Sequence, residues 1–196
     1  KGTLYMPEYH TINPDTVWDY YFDESGKERA KKAGMNAKMF TSFIDGTKSA
    51  IEMAAVCNAT GLTPAPSGLS FPACAVEDIA TNLIPETEGG LLHHKGQVEV
   101  ISSRRRNGTD VENDLRWGVY VTFKAPTDYV QACFSDYGLI TDRTGHYSAL
   151  WRPYHLIGLE LGPSLISVAL LNLPTGEPDA FRADVAATAK RDLRPG

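Results

Sequence analysis

Between Arg116 and Lys124 the chain alternates so regularly that a strand is the only regular structure it fits. Trp117, Val119, Val121 and Phe123 fall on one face, and Arg116, Tyr120, Thr122 and Lys124 on the other. That is the period of two that a half-buried strand requires. Gln97 to Ser103 repeats the pattern more weakly, with Val98 and Val100 on one side, and Asn107-Gly108 lies between the two segments. An Asn-Gly pair between alternating runs predicts antiparallel pairing of 97–103 with 116–124. His146 to Trp151 and Phe181 to Lys190 are third and fourth strand candidates.

Helical patterns surround these strands. Pro14 to Ala33 carries an apolar stripe of Val17, Trp18, Tyr21 and Phe22, with a break expected at Ser25-Gly26 and an end at Gly34. A second helix is predicted over about 46–60 and a short one over Val76 to Leu83. Pro126 to Tyr137 should turn Val130, Cys133, Phe134 and Tyr137 inward and stop at Gly138. Residues 153–173 are helical in composition, with a kink expected at Gly162-Pro163. Residues 1–16, 61–75 and 85–96 read as arm and loops. Helices mixed with a mostly antiparallel sheet that they cover make an α+β class.

Charge and cysteine usage limit the partners. With 24 acidic against 19 basic residues, the net charge of −5 argues against a nucleic-acid partner. No apolar run approaches the roughly 20 residues needed to span a bilayer, so no membrane role is expected. Cys57, Cys74 and Cys133 show no CxxC spacing and read as free thiols of a reducing cytoplasm. Neither GxGxxG nor GxxxxGK[ST] occurs. The opening KGTLYMP has no signal pattern, and the chain reads as a piece of a longer protein.

The chemistry concentrates around the helix at 46–60. Asp45, Lys48, Ser49 and Glu52 stand at i, i+3, i+4 and i+7, which stacks them on one helical stripe. Such a stripe is either an exposed ion-pair row or an active-site wall in which Lys48 orients a substrate oxygen or moves a proton. The apolar residues around it, from Ala50 to Val56, leave little room for a solvated face.

Arg152-Pro153-Tyr154-His155 lies between a strand and a helix, where an anion can be held and where His155 titrates near neutrality. A capping histidine and a surface arginine are the plainer alternative. Asp114 and Arg116 open the best strand; Asp114 reads as a strand-end ion pair with a partner elsewhere or as a group acting across the sheet. Arg104 to Arg106 beside Asn107-Gly108 read as a solvated hairpin tip, and His93-His94 lacks a second ligand pair for zinc. Tyr147 and Lys190 are weaker candidates.

Four stretches carry a family resemblance: FIDGTKSAIEMAAVCNATGL, DLRWGVYVTF, RPYHLIGLELG and FRADVAATAKRDL. They resemble the homoserine-dehydrogenase-like oxidoreductases that often carry a C-terminal SAF domain, and the 1-deoxy-D-xylulose 5-phosphate reductoisomerase-like branch in particular. The resemblance implies a central catalytic and oligomerisation domain. Residues 1–40 would be an arm and helix leading from a Rossmann domain outside this chain, and 41–196 the catalytic unit. It implies NADPH or NADH held by that other domain, with Lys1 and Gly2 at the cofactor edge. It implies a homo-oligomer acting on a small-molecule substrate. Lys48, with Asp45 and Glu52, would be catalytic. Thr47, Ser49, Arg152, His155, Tyr147, Asp114 and Arg116 would bind substrate, with Arg152, His155 and Ser49 available to a phosphate. Asp45, Glu52 or Asp114 would serve a divalent metal if one is used.

Overall fold

The computed structural model describes residues 1–156 and 158–196. Ile157, inside a segment expected to be helical, lies outside the described residues. Among those described there are seven α-helices and four short strands in two separate sheets. The α+β class stands, but the sheet is not mostly antiparallel. β1 (Gly2–Thr3) pairs in parallel with β2 (Ile101–Ser102), and β3 (Val119–Lys124) pairs antiparallel with β4 (Tyr147–Arg152).

The expected pairing of 97–103 with 116–124 fails because β2 has no free edge. On one side the Ile101 and Ser103 amides donate to Lys1 and Thr3 carbonyls. On the other, the Ser102 amide donates to Pro72 and its carbonyl accepts from Cys74. The Arg104 to Asp110 turn closes on itself, and Asp114 bridges to Ala75. β3 is left to β4, in the register Val119↔Arg152 through Lys124↔Tyr147.

α1 (Trp18–Tyr21) and α2 (Glu24–Lys32) are broken at Phe22-Asp23 rather than at Ser25-Gly26. The Asp23 side chain accepts the Gly26 amide at 2.8 Å and so starts α2 itself. Gly26 is inside the helix because Phe22 lies on it: a Cβ there would sit 2.6 Å from the Phe22 Cβ. α3 (Ala37–Ile44) and α4 (Thr47–Thr60) follow, joined at Asp45-Gly46. The φ of 90° at Gly46 turns the chain sharply between them, a conformation that favours glycine. Ile44 packs with Leu4, Met6, Tyr9, Ile12 and Val17 in one core cluster, so the N-terminal arm is a core element and not a loose leader.

A second cluster gathers α5 (Ile79–Asn82) with Ile101, Leu115 and Ala149 under β4. α6 (Asp128–Asp136) begins at Thr127, whose hydroxyl accepts the Val130 amide. Phe134 is buried as expected, but Tyr137 is 81% exposed, since it follows the last helical turn. Gly162-Pro163 opens α7 (Leu161–Leu171) instead of kinking it, because proline is tolerated in a first turn. Phe181 to Lys190 forms no strand; its backbone at Arg182 and Ala183 bonds to the side chain of Asn58. The exposed sheet face carries Trp117 and Val121, at 58% and 55% exposure, while Tyr120 packs on the core from the other side. None of the helices described is long and apolar enough to cross a membrane.

Candidate active site

A cavity of about 200 Å³ opens where the first residues of the chain, the α3–α4 junction and the segment leading into β3 meet. Phe43, Ile44, Trp117 and Leu156 give it apolar walls, and Lys1, Lys48, Arg116 and His155 supply its charge and hydrogen bonding. A second hollow of similar size shares Lys48, His155 and Leu156, and adds Glu52, Arg152 and Glu160.

The carboxylate of Glu52 joins two lysines. Its Oε1 lies 3.1 Å from Lys48 Nζ, one turn earlier on α4, and its Oε2 pairs with Lys1 Nζ. Burial works to raise the Glu52 carboxyl, but hydrogen bonds and charge from the two lysines outweigh it and hold its pKa below the usual carboxylate range. Lys1 is the more enclosed lysine, its side chain 7% exposed. Burial lowers its ammonium pKa despite the pull of Glu52. Lys48 also lies 4.8 Å from the centre of the Phe43 ring, a cation–π contact that fixes its stem against the wall. The next residue, Gly2, cannot carry a side chain: a Cβ would sit 1.8 Å from the Leu115 carbonyl oxygen. That close approach brings Lys1 over Glu52.

His155 is held from behind. Its backbone amide and its Nδ1 both lie 2.7 Å from the Trp117 carbonyl oxygen. A carbonyl only accepts, so Nδ1 carries the proton and Nε2 of the neutral ring is left with a lone pair. Nε2 is buried and has no partner. Burial is the largest influence on this ring and lowers its pKa from the ordinary 6.5. The Trp117 bond and Glu52 oppose the shift, and the charges of Lys1 and Lys48 add to it. The arrangement is a neutral hydrogen-bond acceptor at a cavity that Lys1, Lys48 and Arg116 also line.

Of the residues expected from sequence, Lys1, Gly2, Lys48, Arg116 and His155 meet in the first cavity, and Glu52 and Arg152 join in the second. The others do not. Asp45 is not on the α4 stripe, because the turn at Gly46 takes it out of helical register. Its Oδ1 accepts the Thr47 amide at 2.9 Å and its Oδ2 pairs with Lys190 at 2.6 Å. Neither Asp45 nor Thr47 lines either cavity. Ser49 is fully buried in the protein interior, not on a polar stripe, and its Oγ has no partner.

Asp114 precedes β3 and accepts the Arg116 amide at 2.6 Å, so it does not reach the cavity. Arg116 bonds through Nε to Ser103 Oγ, which leaves the rest of its guanidinium for the cavity. Tyr147 donates to Glu88 at 2.7 Å and lines a different groove of about 550 Å³ beside β3. Among the described residues no three His, Cys, Asp or Glu side chains gather as a metal site, so Asp45, Glu52 and Asp114 do not form one together. Sequence reading missed Trp117 as the group that orients His155. It acts through its backbone carbonyl, for which side-chain identity gives no signal.

A sequence model of the family described as the catalytic domain of the oxidoreductase DRL matches residues 1–161. The chain belongs to this family. Every residue lining the two cavities falls within the match, whereas most of α7 and the whole C-terminal segment lie beyond it. No curated protein matches the chain.

Proposed function

We propose that this chain is the substrate-binding and catalytic domain of an NAD(P)H-dependent oxidoreductase. Its substrate would be a small hydroxy or oxo compound, a sugar phosphate as in the reductoisomerase-like enzymes or a homoserine-like molecule. The observation that carries the reading is the bare, buried Nε2 of His155 beside the Lys1–Glu52–Lys48 cluster. Membership of an oxidoreductase catalytic-domain family supports it. Residues 1–40 serve in this reading as the lead-in from a nucleotide domain and 41–196 as the catalytic unit.

The nicotinamide, held by that other domain, supplies or removes a hydride when bound. Lys1 and Gly2 are part of the cavity wall and would form its cofactor edge. The chain's own residues do the rest. Lys48 and Lys1 donate hydrogen bonds to the oxygen of a carbonyl or alkoxide and stabilise negative charge there. Nε2 of His155, neutral at rest because burial opposes its charging, accepts a hydrogen bond from the substrate hydroxyl and takes its proton, the ring becoming an imidazolium that Glu52 helps to offset. Arg116 and Arg152 are placed for an anionic group on the substrate. Phe43 and Ile44 give the reacting atoms an apolar wall. Among the described residues no carboxylate set gathers as a metal site.

The test is Lys48→Ala in the parent protein, followed by nicotinamide absorbance with candidate hydroxy and oxo substrates. Turnover should fall by about 10²-fold or more with the circular dichroism unchanged; near-normal turnover would remove Lys48 from the mechanism. The isolated chain should be inactive.

The open sheet face favours a second, compatible role in self-association. Trp117, Val121 and Leu150 are exposed together on it, and an apolar patch of this kind is ordinarily covered by another protein surface. Sedimentation of the chain decides this: a strict monomer at high concentration would count against it.

A further inference from the structure

We propose that residues 179–190 form a strap that clamps α4 at both ends and positions the Lys48–Glu52 pair, with Asn58 and Lys190 as the positioning residues. The inference concerns the same site and rests on the reading of Lys48 and Glu52 as functional groups.

At the C-terminal end of α4, Asn58 is bonded to the strap by both its backbone and its side chain. Its carbonyl accepts the amides of Asp179 and Ala180 at 2.7 and 3.1 Å. Its side-chain oxygen accepts the amides of Arg182 and Ala183 at 2.7 and 3.0 Å, and its Nδ2 donates to the Ala183 carbonyl at 3.1 Å. An asparagine with both ends of its amide engaged by one extended segment reads that segment as a neighbouring strand would. The carbonyl it uses belongs to the last turn of the helix, where backbone acceptors have no intrahelical donor.

At the N-terminal end, Lys190 donates to Asp45 Oδ2 and to the Ile12 carbonyl, each at 2.6 Å. Asp45 is almost enclosed, its side chain 5% exposed, and its other oxygen holds the Thr47 amide in the first turn of α4. Lys190 therefore acts on Lys48 through two links, the Asp45 carboxylate and the Thr47 amide. The Ile12 contact ties the same ammonium to the core cluster beneath α3.

The dimensions agree. Fourteen helical residues span about 21 Å, and an extended path from Arg182 to Lys190 reaches about 27 Å. The segment runs antiparallel to α4 with little slack. It lies wholly beyond residue 161, where the family match ends.

Hydrogen exchange of the full chain, resolved by residue, tests the strap without any assay of turnover. In Lys190→Met the Thr47 and Ala50 amides should exchange about tenfold faster than in the native chain, while amides of α5 and α6 keep their rates. Lys190→Arg should restore the native rates. Asn58→Ala should loosen the other end, at Thr60 and Gly61, and leave α5 unchanged. Native rates at Thr47 and Ala50 in Lys190→Met, or an acceleration spread evenly over the chain, would overturn the proposal. The same variants in the parent protein separate it from the functional reading. Local loosening with a lower kcat and little change in KM supports both. Local loosening with unaltered turnover supports the strap and sinks the catalytic role of Lys48 and Glu52.

Discussion

Helices α4 and α7 are built from similar residues and end in opposite circumstances. α4 is fixed by glycine at both ends, packs on α3 and keeps Ser49 and Cys57 fully buried. α7 contains no charged residue, buries none of its side chains and leaves Leu170 77% exposed. Composition makes both helical, but it does not decide which one is inside. α4 has one buried side because the arm, α3 and the strap pack along it, while Ile51 and Val56 on its other side stay exposed. α7 packs none of its side chains into the core, so its apolar surface stays exposed.

The largest expected effect comes from charging the buried side of α4. Ser49→Asp puts a carboxylate where even the native hydroxyl finds no partner. It should cost about 4 kcal/mol or more and lower the melting temperature by about 10 °C. A shift of less than about 2 °C would mean that this face is wet and that the contrast with α7 is false. Gly2→Ala comes next. Its methyl would collide with the Leu115 carbonyl, displacing the arm that holds Lys1 over Glu52, at a cost of about 1–3 kcal/mol in a thermal melt.

A third test uses pH. Because the folded state depresses the His155 pKa, the unfolded chain binds more protons just below pH 6.5. Stability should therefore fall as pH drops from 6.5 towards the folded-state pKa, and be fully present above 6.5. Turnover that needs the neutral ring should show its acid limb below 6.5, and His155→Gln should remove that limb. The smallest effect is expected on the other helix: Leu165→Lys in α7 should change stability by less than about 0.5 kcal/mol while weakening any self-association seen by sedimentation. A large loss of stability there would show that α7 packs inside its own chain in solution.

How far the sequence was legible follows from the range of the forces involved. α4, α6, β3 and β4 were readable because periodicity and caps are local, within one or two turns or a few pleats. The partner of β3 was not, since it depended on Gly2-Thr3 and residues 72–74 closing both edges of β2 from distant parts of the chain. Lys48 and Glu52 were readable as a pair because i and i+4 meet on any helix. Asp45 was misplaced by a single φ at Gly46, which no helical wheel includes. Lys190 looked like part of a strand and proved to be the far end of an ion pair with Asp45.

The sequence alone determined the α+β class, the α4 helix with its Lys48–Glu52 step, and the strand content of β3 and β4. These depend on backbone propensity and on side-chain spacing within a single element. Tertiary structure alone decided that Lys1, Lys48, Arg116 and His155 share one cavity, that His155 presents Nε2, and that Asp45 and Ser49 leave the stripe. Apart from Asp45, which the local turn at Gly46 displaces, each of those outcomes depends on a contact between segments far apart in the chain, where burial and hydrogen bonding select among partners that local spacing leaves equivalent.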